Sequence, residues 1–148
     1  MVQLEGEAIL RLLDVRRVIE SGTVRRAATN ATAAQRAEID VLCTELLRIV
    51  DAGQPYRAAD SAFHAAICDS TGNPMFGQIL QRMDEAFERS VESPFSVPGF
   101  GLASFPPHRD LADAIVAGDP DAAEAALHRI IDLVEAEIRE IIDGKKAG

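Results

Sequence analysis

The sequence predicts an all-α fold, an antiparallel bundle of about six to seven helices. Three observations support this. Alanine-rich segments carry apolar residues at the three- and four-residue spacing of a helix. Alternating Val, Ile and Thr patterns of the strand type are missing. Glycines that end helices and prolines that open them recur at short intervals, and short connections favour antiparallel neighbours.

The first helix is expected from about Leu4 to Ser21, with Gly22 marking a kink or break before a short continuation, Thr23 to Ala28. Its stripe is Ile9, Leu12, Leu13 and Ile19, with Arg16 near the centre. Thr32 is placed to cap the second helix, which turns Ile39, Leu42, Cys43, Leu46, Leu47 and Val50 inward and stops at Gly53. Pro55 is expected in the first turn of the third helix, which ends at the Thr71-Gly72-Asn73-Pro74 corner. There Asn73 caps and Pro74 opens the fourth helix, which runs to about Ser93. A Pro- and Gly-rich loop with Phe95, Phe100 and Phe105 follows, suited to an ordered lid or crossover. The fifth helix is expected from near Pro107 to Gly118. The sixth opens at Asp119-Pro120 and runs to about Ile142, before a frayed tail.

Length and composition narrow the possible functions. At 148 residues the chain is read as one domain, 1–148, with enough surface to bury a core. Net charge is -9 and the 15 Lys and Arg residues form no long basic face, so this chain by itself should repel a nucleic-acid backbone. Cys43 and Cys68 make no CxxC or metal-finger spacing and read as buried apolar residues in a reducing compartment. No apolar run approaches the roughly 18 residues of a membrane span, and no leader pattern opens the chain, so a cytoplasmic location without membrane attachment is expected.

The informative anomaly is polar residues on core faces. Tyr56, Asp60, Phe63, His64, Ile67 and Thr71 fall within about 100° of one face of the third helix. On the fifth, His108 shares a face with Leu111, Ala112 and Ile115, and on the first Arg16 interrupts the stripe. An unpaired charge at such positions costs several kcal/mol, so these groups must satisfy one another or a bound species. Asp60 and His64, four residues apart, project side by side, and His108 from another helix completes a three-ligand set for a divalent metal. Three ligands leave coordination positions for water or a small carboxylate, for which Arg16 is the natural bidentate partner. The plainer readings are a chance Asp-x-x-x-His pair, a solvent-facing His108 after two prolines, an Arg16–Glu20 surface pair, and loop phenylalanines that pack on the bundle.

The segments DVRRVIE at 14–20, DSAFH with STGNP within 60–74, and HRDLADAIVAGDPDAAEAAL at 108–127 carry a resemblance. Together and in this order they are similar to the FCD domain, the effector-binding and dimerising half of FadR-type GntR transcription regulators. The resemblance implies a helical bundle, a homodimer, and a site where an Asp and three His hold a metal near which small organic acids bind, such as sugar acids or hydroxy acids. It implies Asp60, His64 and His108 as metal ligands, with Arg16 and Asn73 as candidate effector contacts. The metal would be zinc or nickel, with manganese and iron as further candidates.

The fourth ligand does not transfer. Its position corresponds to Ile130, while the nearby His128 lies about 160° away on the helix, beside Glu124, Asp132 and Glu135, and should face water. Three arrangements follow: a three-ligand metal site, a metal-free pocket in which Arg16 and the two histidines grip an anion, or a rearranged sixth helix that brings His128 inward. The family's winged-helix DNA-binding domain has no counterpart in these residues, so DNA would be reached only through a domain this chain lacks. Two rivals remain: a small metalloenzyme that activates water with the same ligands, and a plain oligomerisation bundle.

Overall fold

The computed structural model describes residues 2–90 and 99–144, with side chains from 5 to 86 and from 99 to 144. Phe95, the rest of 91–98 and the last four residues fall outside them. Within the described residues the chain is helical, without strands: α1 (Val2–Asn30), α2 (Ala33–Asp51), α3 (Arg57–Asp69), α4 (Met75–Ser90), a 3-10 turn (Leu102–Ser104), α5 (Pro106–Ala117) and α6 (Pro120–Ile142).

The expected break at Gly22 does not occur, and α1 runs unbroken for 29 residues. A mid-helix glycine costs about 1 kcal/mol relative to alanine. Burial of Thr23, Val24, Ala27 and Ala28 just beyond it outweighs that cost. The seam between α1 and α6 is antiparallel: Arg17 pairs with Asp132 and Glu135, and Arg25, two turns on, pairs with Asp121 and Glu124, which lie earlier in α6.

The remaining punctuation follows local chemistry. Thr32 forms a capping box with Gln35, each side chain accepting from the other's backbone N–H. Helix α2 ends as expected at Gly53 (φ 68°), where Gln54 N–H donates back to Ile49 O. That wrap uses residues 53 and 54, so α3 begins at Arg57 and Pro55 lies before its first turn. Gly118 (φ 71°) ends α5, and Asp119 accepts from Ala122 N–H to start α6 immediately. Arg36 donates to Ile115 O and Ala28 O, tying the ends of α5 and α1 to α2.

One core joins α1, α2, α3, α5 and α6 through Ile9, Ile39, Phe63, Leu111, Leu127 and Ile138, all essentially inaccessible. Helix α4 stands apart. It buries Leu80 and Met83 against Cys68, Leu12 and Ile19 in a separate small cluster, and packs chiefly on α1 and α3.

Candidate metal and anion site

Asp60 and His64 lie one turn apart on α3, which turns Phe63, Ala66 and Ile67 into the core and leaves the neighbouring Asp60–His64 edge half-buried. His108 comes from the first turn of α5. Two prolines fix that turn, and its backbone N–H donates to Phe105 O at 2.8 Å. The His108 ring is 3% exposed, stacks on Phe105 with centroids 5.0 Å apart, and meets the His64 ring edge-on at 5.5 Å.

The donors converge on one atom. Asp60 Oδ1 lies 3.2 Å from His64 Nε2 and 3.6 Å from His108 Nε2. It is buried, yet it makes no hydrogen bond. One ligand atom from each of the three residues lies within 4.8 Å of the others. His108 Nδ1 is 2.8 Å from Ser104 O. A carbonyl only accepts, so Nδ1 donates to it, and Nε2 is the ring nitrogen turned toward Asp60. An orphaned carboxylate oxygen faced by imidazole nitrogens fits a shared cation, and the N/O donor set suits a divalent metal with positions left open.

Without a metal, protons carry that charge. Burial opposes the His64 imidazolium, but the Asp60 carboxylate, with Glu20 3.8 Å from Nδ1, outweighs it and holds the pKa above the ordinary value of 6.5. For Asp60, burial favours the neutral acid, but His64 and His108 outweigh it and hold the carboxyl well below the usual range.

A cavity of about 250 Å³ opens beside these groups. Its polar lining includes Arg16, Glu20, Arg57, Asp60, His64, Asp84 and His108, and Leu127, Ile130 and Val134 of α6 lie on its apolar side. That volume lies just below the usual range for drug-sized ligands and suits a small guest. The expected position of the missing ligand is on the cavity wall, where Ile130 is 7% exposed. Arg16 is already engaged: Nε donates to Glu20 at 2.9 Å, and Nη1 forms an ion pair with Asp84 at 2.8 Å. Glu20 chiefly raises the Arg16 pKa against burial, with Asp84 adding, so the guanidinium stays charged.

Two candidates lie elsewhere. Asn73 is exposed and accepts from Met75 N–H at 3.0 Å, capping α4 outside the cavity. His128 is not turned inward. It sits half-buried on the α1–α6 seam, 2.9 Å from Arg17 Nη1 and 3.4 Å from Glu124.

Three groups were not placed at the site by the sequence, although Glu20 was expected as a partner of Arg16. Glu20, 4% exposed, extends the Ile9–Leu13–Arg16 row by one turn, and that row was the available signal. Asp84 lies one turn after the buried Leu80. Glu137, 7% exposed, accepts from Gly101 N–H at 2.9 Å and anchors the loop that carries Ser104.

These features define a class, an all-helical bundle with a charged, ligand-sized cavity walled by α1, α3, α4, α5 and α6. Residues 11–133 match the FCD domain, and the chain belongs to that family. It is similar to the galactonate operon transcriptional repressor of Escherichia coli K12, 28% identical over 138 residues, covering 90% of this chain and 58% of that one. It is also similar to the transcriptional regulator LutR of Bacillus subtilis, 25% identical over 129 residues, covering 84% and 59%. A third relative is the transcriptional repressor NanR of Citrobacter rodentium, 32% identical over 130 residues, covering 82% and 48%. The chain therefore spans 48% to 59% of these relatives' lengths. It is a domain of the kind that GntR-family regulators carry. No helix among the described residues is long and apolar enough to cross a membrane.

Proposed function

We propose that this chain is the effector-sensing domain of a transcription regulator, binding a small organic acid beside a divalent metal held by Asp60, His64 and His108. The observation that carries the reading is the buried, unpartnered Asp60 Oδ1 faced by two imidazole nitrogens. A bound ion supplies positive charge and open coordination positions for the acid's oxygens. Arg16 supplies the guanidinium for its carboxylate. Zinc and nickel are the leading candidates, and two imidazoles with a carboxylate also suit iron and manganese, so the donor set alone does not choose among them. Acid binding biases the packing of the bundle, and a homodimer, joined through an apolar face such as the exposed Val15 and Val18, passes that bias to attached DNA-binding domains.

A metal-free variant of this reading has its own support, because Ile130 lines the cavity where a fourth ligand would stand. There His64, charged between Asp60 and Glu20, and Arg16 would hold the anion alone.

Thermal unfolding with galactonate or L-lactate separates these readings. Those acids are chosen because operons of galactonate and of L-lactate dehydrogenase appear in the names of relatives. A ligand at about 100 times its Kd stabilises by about 2.7 kcal/mol, which for this size raises Tm by roughly 5–10 °C. That rise is expected for at least one small hydroxy acid or sugar acid with zinc present. It should vanish in Arg16→Gln and with chelator. A rise that survives chelator selects the metal-free variant, and no rise with any small acid overturns the sensor reading. Turnover of the acid would favour a metalloenzyme instead.

A further inference from the structure

We infer that Asp84 is an internal stand-in for the effector's carboxylate: an acid reaches Arg16 only by displacing Asp84, and α4 is the element that the displacement releases. This rests on the reading that a carboxylate binds at Arg16.

The guanidinium is occupied on two sides, by Glu20 at Nε and Asp84 at Nη1. An entering carboxylate that left both in place would face Asp60, Glu20 and Asp84 in the same small cavity, and like charges at such range repel strongly. One resident carboxylate must yield. Glu20 is poorly placed to do so. Its side chain is 6% exposed, it lies on α1 four residues from Arg16, and it also faces His64 at 3.8 Å. Asp84 is 41% exposed and comes from another helix. Its helix is anchored by the small Cys68–Leu80–Met83 cluster rather than by the main core. Water is therefore at hand to solvate the Asp84 carboxylate as it leaves. Among the described residues the helix that carries it buries only Leu80 and Met83, so occupancy of Arg16 and the seating of α4 are alternatives.

The test is calorimetric titration of galactonate and L-lactate into this chain and into its Asp84→Asn, Asp84→Ser and Arg16→Gln variants, with zinc present and folding checked by circular dichroism. Hydrogen exchange across 75–90 accompanies each titration. Removing the competitor is expected to tighten binding of the acid by about tenfold in both Asp84 variants. In the unmodified chain the acid should speed exchange in α4, whereas in the Asp84 variants exchange there should already be fast and change little. Binding that appears only in the Asp84 variants also supports the inference. Equal or weaker binding by both Asp84 variants, with binding lost in Arg16→Gln, overturns the displacement while leaving the sensor reading intact. Absence of binding in every protein overturns both.

Discussion

Two imidazole nitrogens within 3.6 Å of one buried carboxylate oxygen call for protons on those nitrogens or a metal ion among them. The choice has a pH signature. Without metal, the raised His64 pKa contributes stability that is complete below its unfolded value of 6.5 and is lost as pH rises through the higher folded value. The depressed Asp60 pKa contributes stability present above 3.8 and lost as pH falls toward its lower folded value. Metal-free protein should therefore lose stability from this site on going from pH 6 to pH 8.5. The stabilisation by zinc should grow over the same interval, because the metal needs neutral imidazole. Tm recorded against pH with chelator and with zinc checks both slopes, and parallel curves would contradict the shared-cation account. Ile130→His adds an imidazole to the cavity wall and should make zinc harder to remove by chelator. A competition assay reads this directly. At this scale the sequence was partly legible. Asp60 and His64 were visible because a four-residue spacing stacks them, and His108 because it shares a stripe with Leu111 and Ile115. Glu20 was hidden because an acid four residues from an arginine reads as a surface pair, and Asp84 because only the path of α4 brings it to Arg16.

Helices were legible where side-chain chemistry ends them and less so where packing overrules it. The Thr32–Gln35 capping box and the left-handed Gly53 and Gly118 mark boundaries by local rules, and those boundaries fall within a residue or two of expectation. Gly22 misleads because a local rule cannot weigh the apolar surface that Val24 and Ala27 bury beyond it. An alanine Cβ at Gly22 would meet nothing within 4 Å. Gly22→Ala should therefore stabilise the fold by about 0.5–1 kcal/mol, read as a higher denaturant midpoint with an unchanged slope. A lower midpoint would mean that α1 needs flexibility there. At Gly118 the same change should destabilise by about 1 kcal/mol or more, since φ is positive and the added Cβ would lie 3.6 Å from Ala28 O. Thr32→Ala, which removes the cap, should cost about 1 kcal/mol in the same assay.

At the scale of the whole molecule, α6 is both the wall of the cavity and the partner of α1 and α5, so the apolar half of the pocket is also the core. The bundle class followed from helical periodicity and the lack of strand patterns. Which polar faces meet depends on long-range order: Arg16, Asp84, Asp60 and His108 come from four helices spread over most of the chain. The net charge of -9 makes this domain by itself a poor match for a nucleic-acid backbone. The most direct measurement is the divalent metal content of the dialysed protein after exposure to zinc, by elemental analysis, beside Asp60→Ala and His64→Ala. The account predicts about one equivalent in the unmodified chain and almost none in either variant. Metal absent from all three, or retained equally by all three, would contradict it.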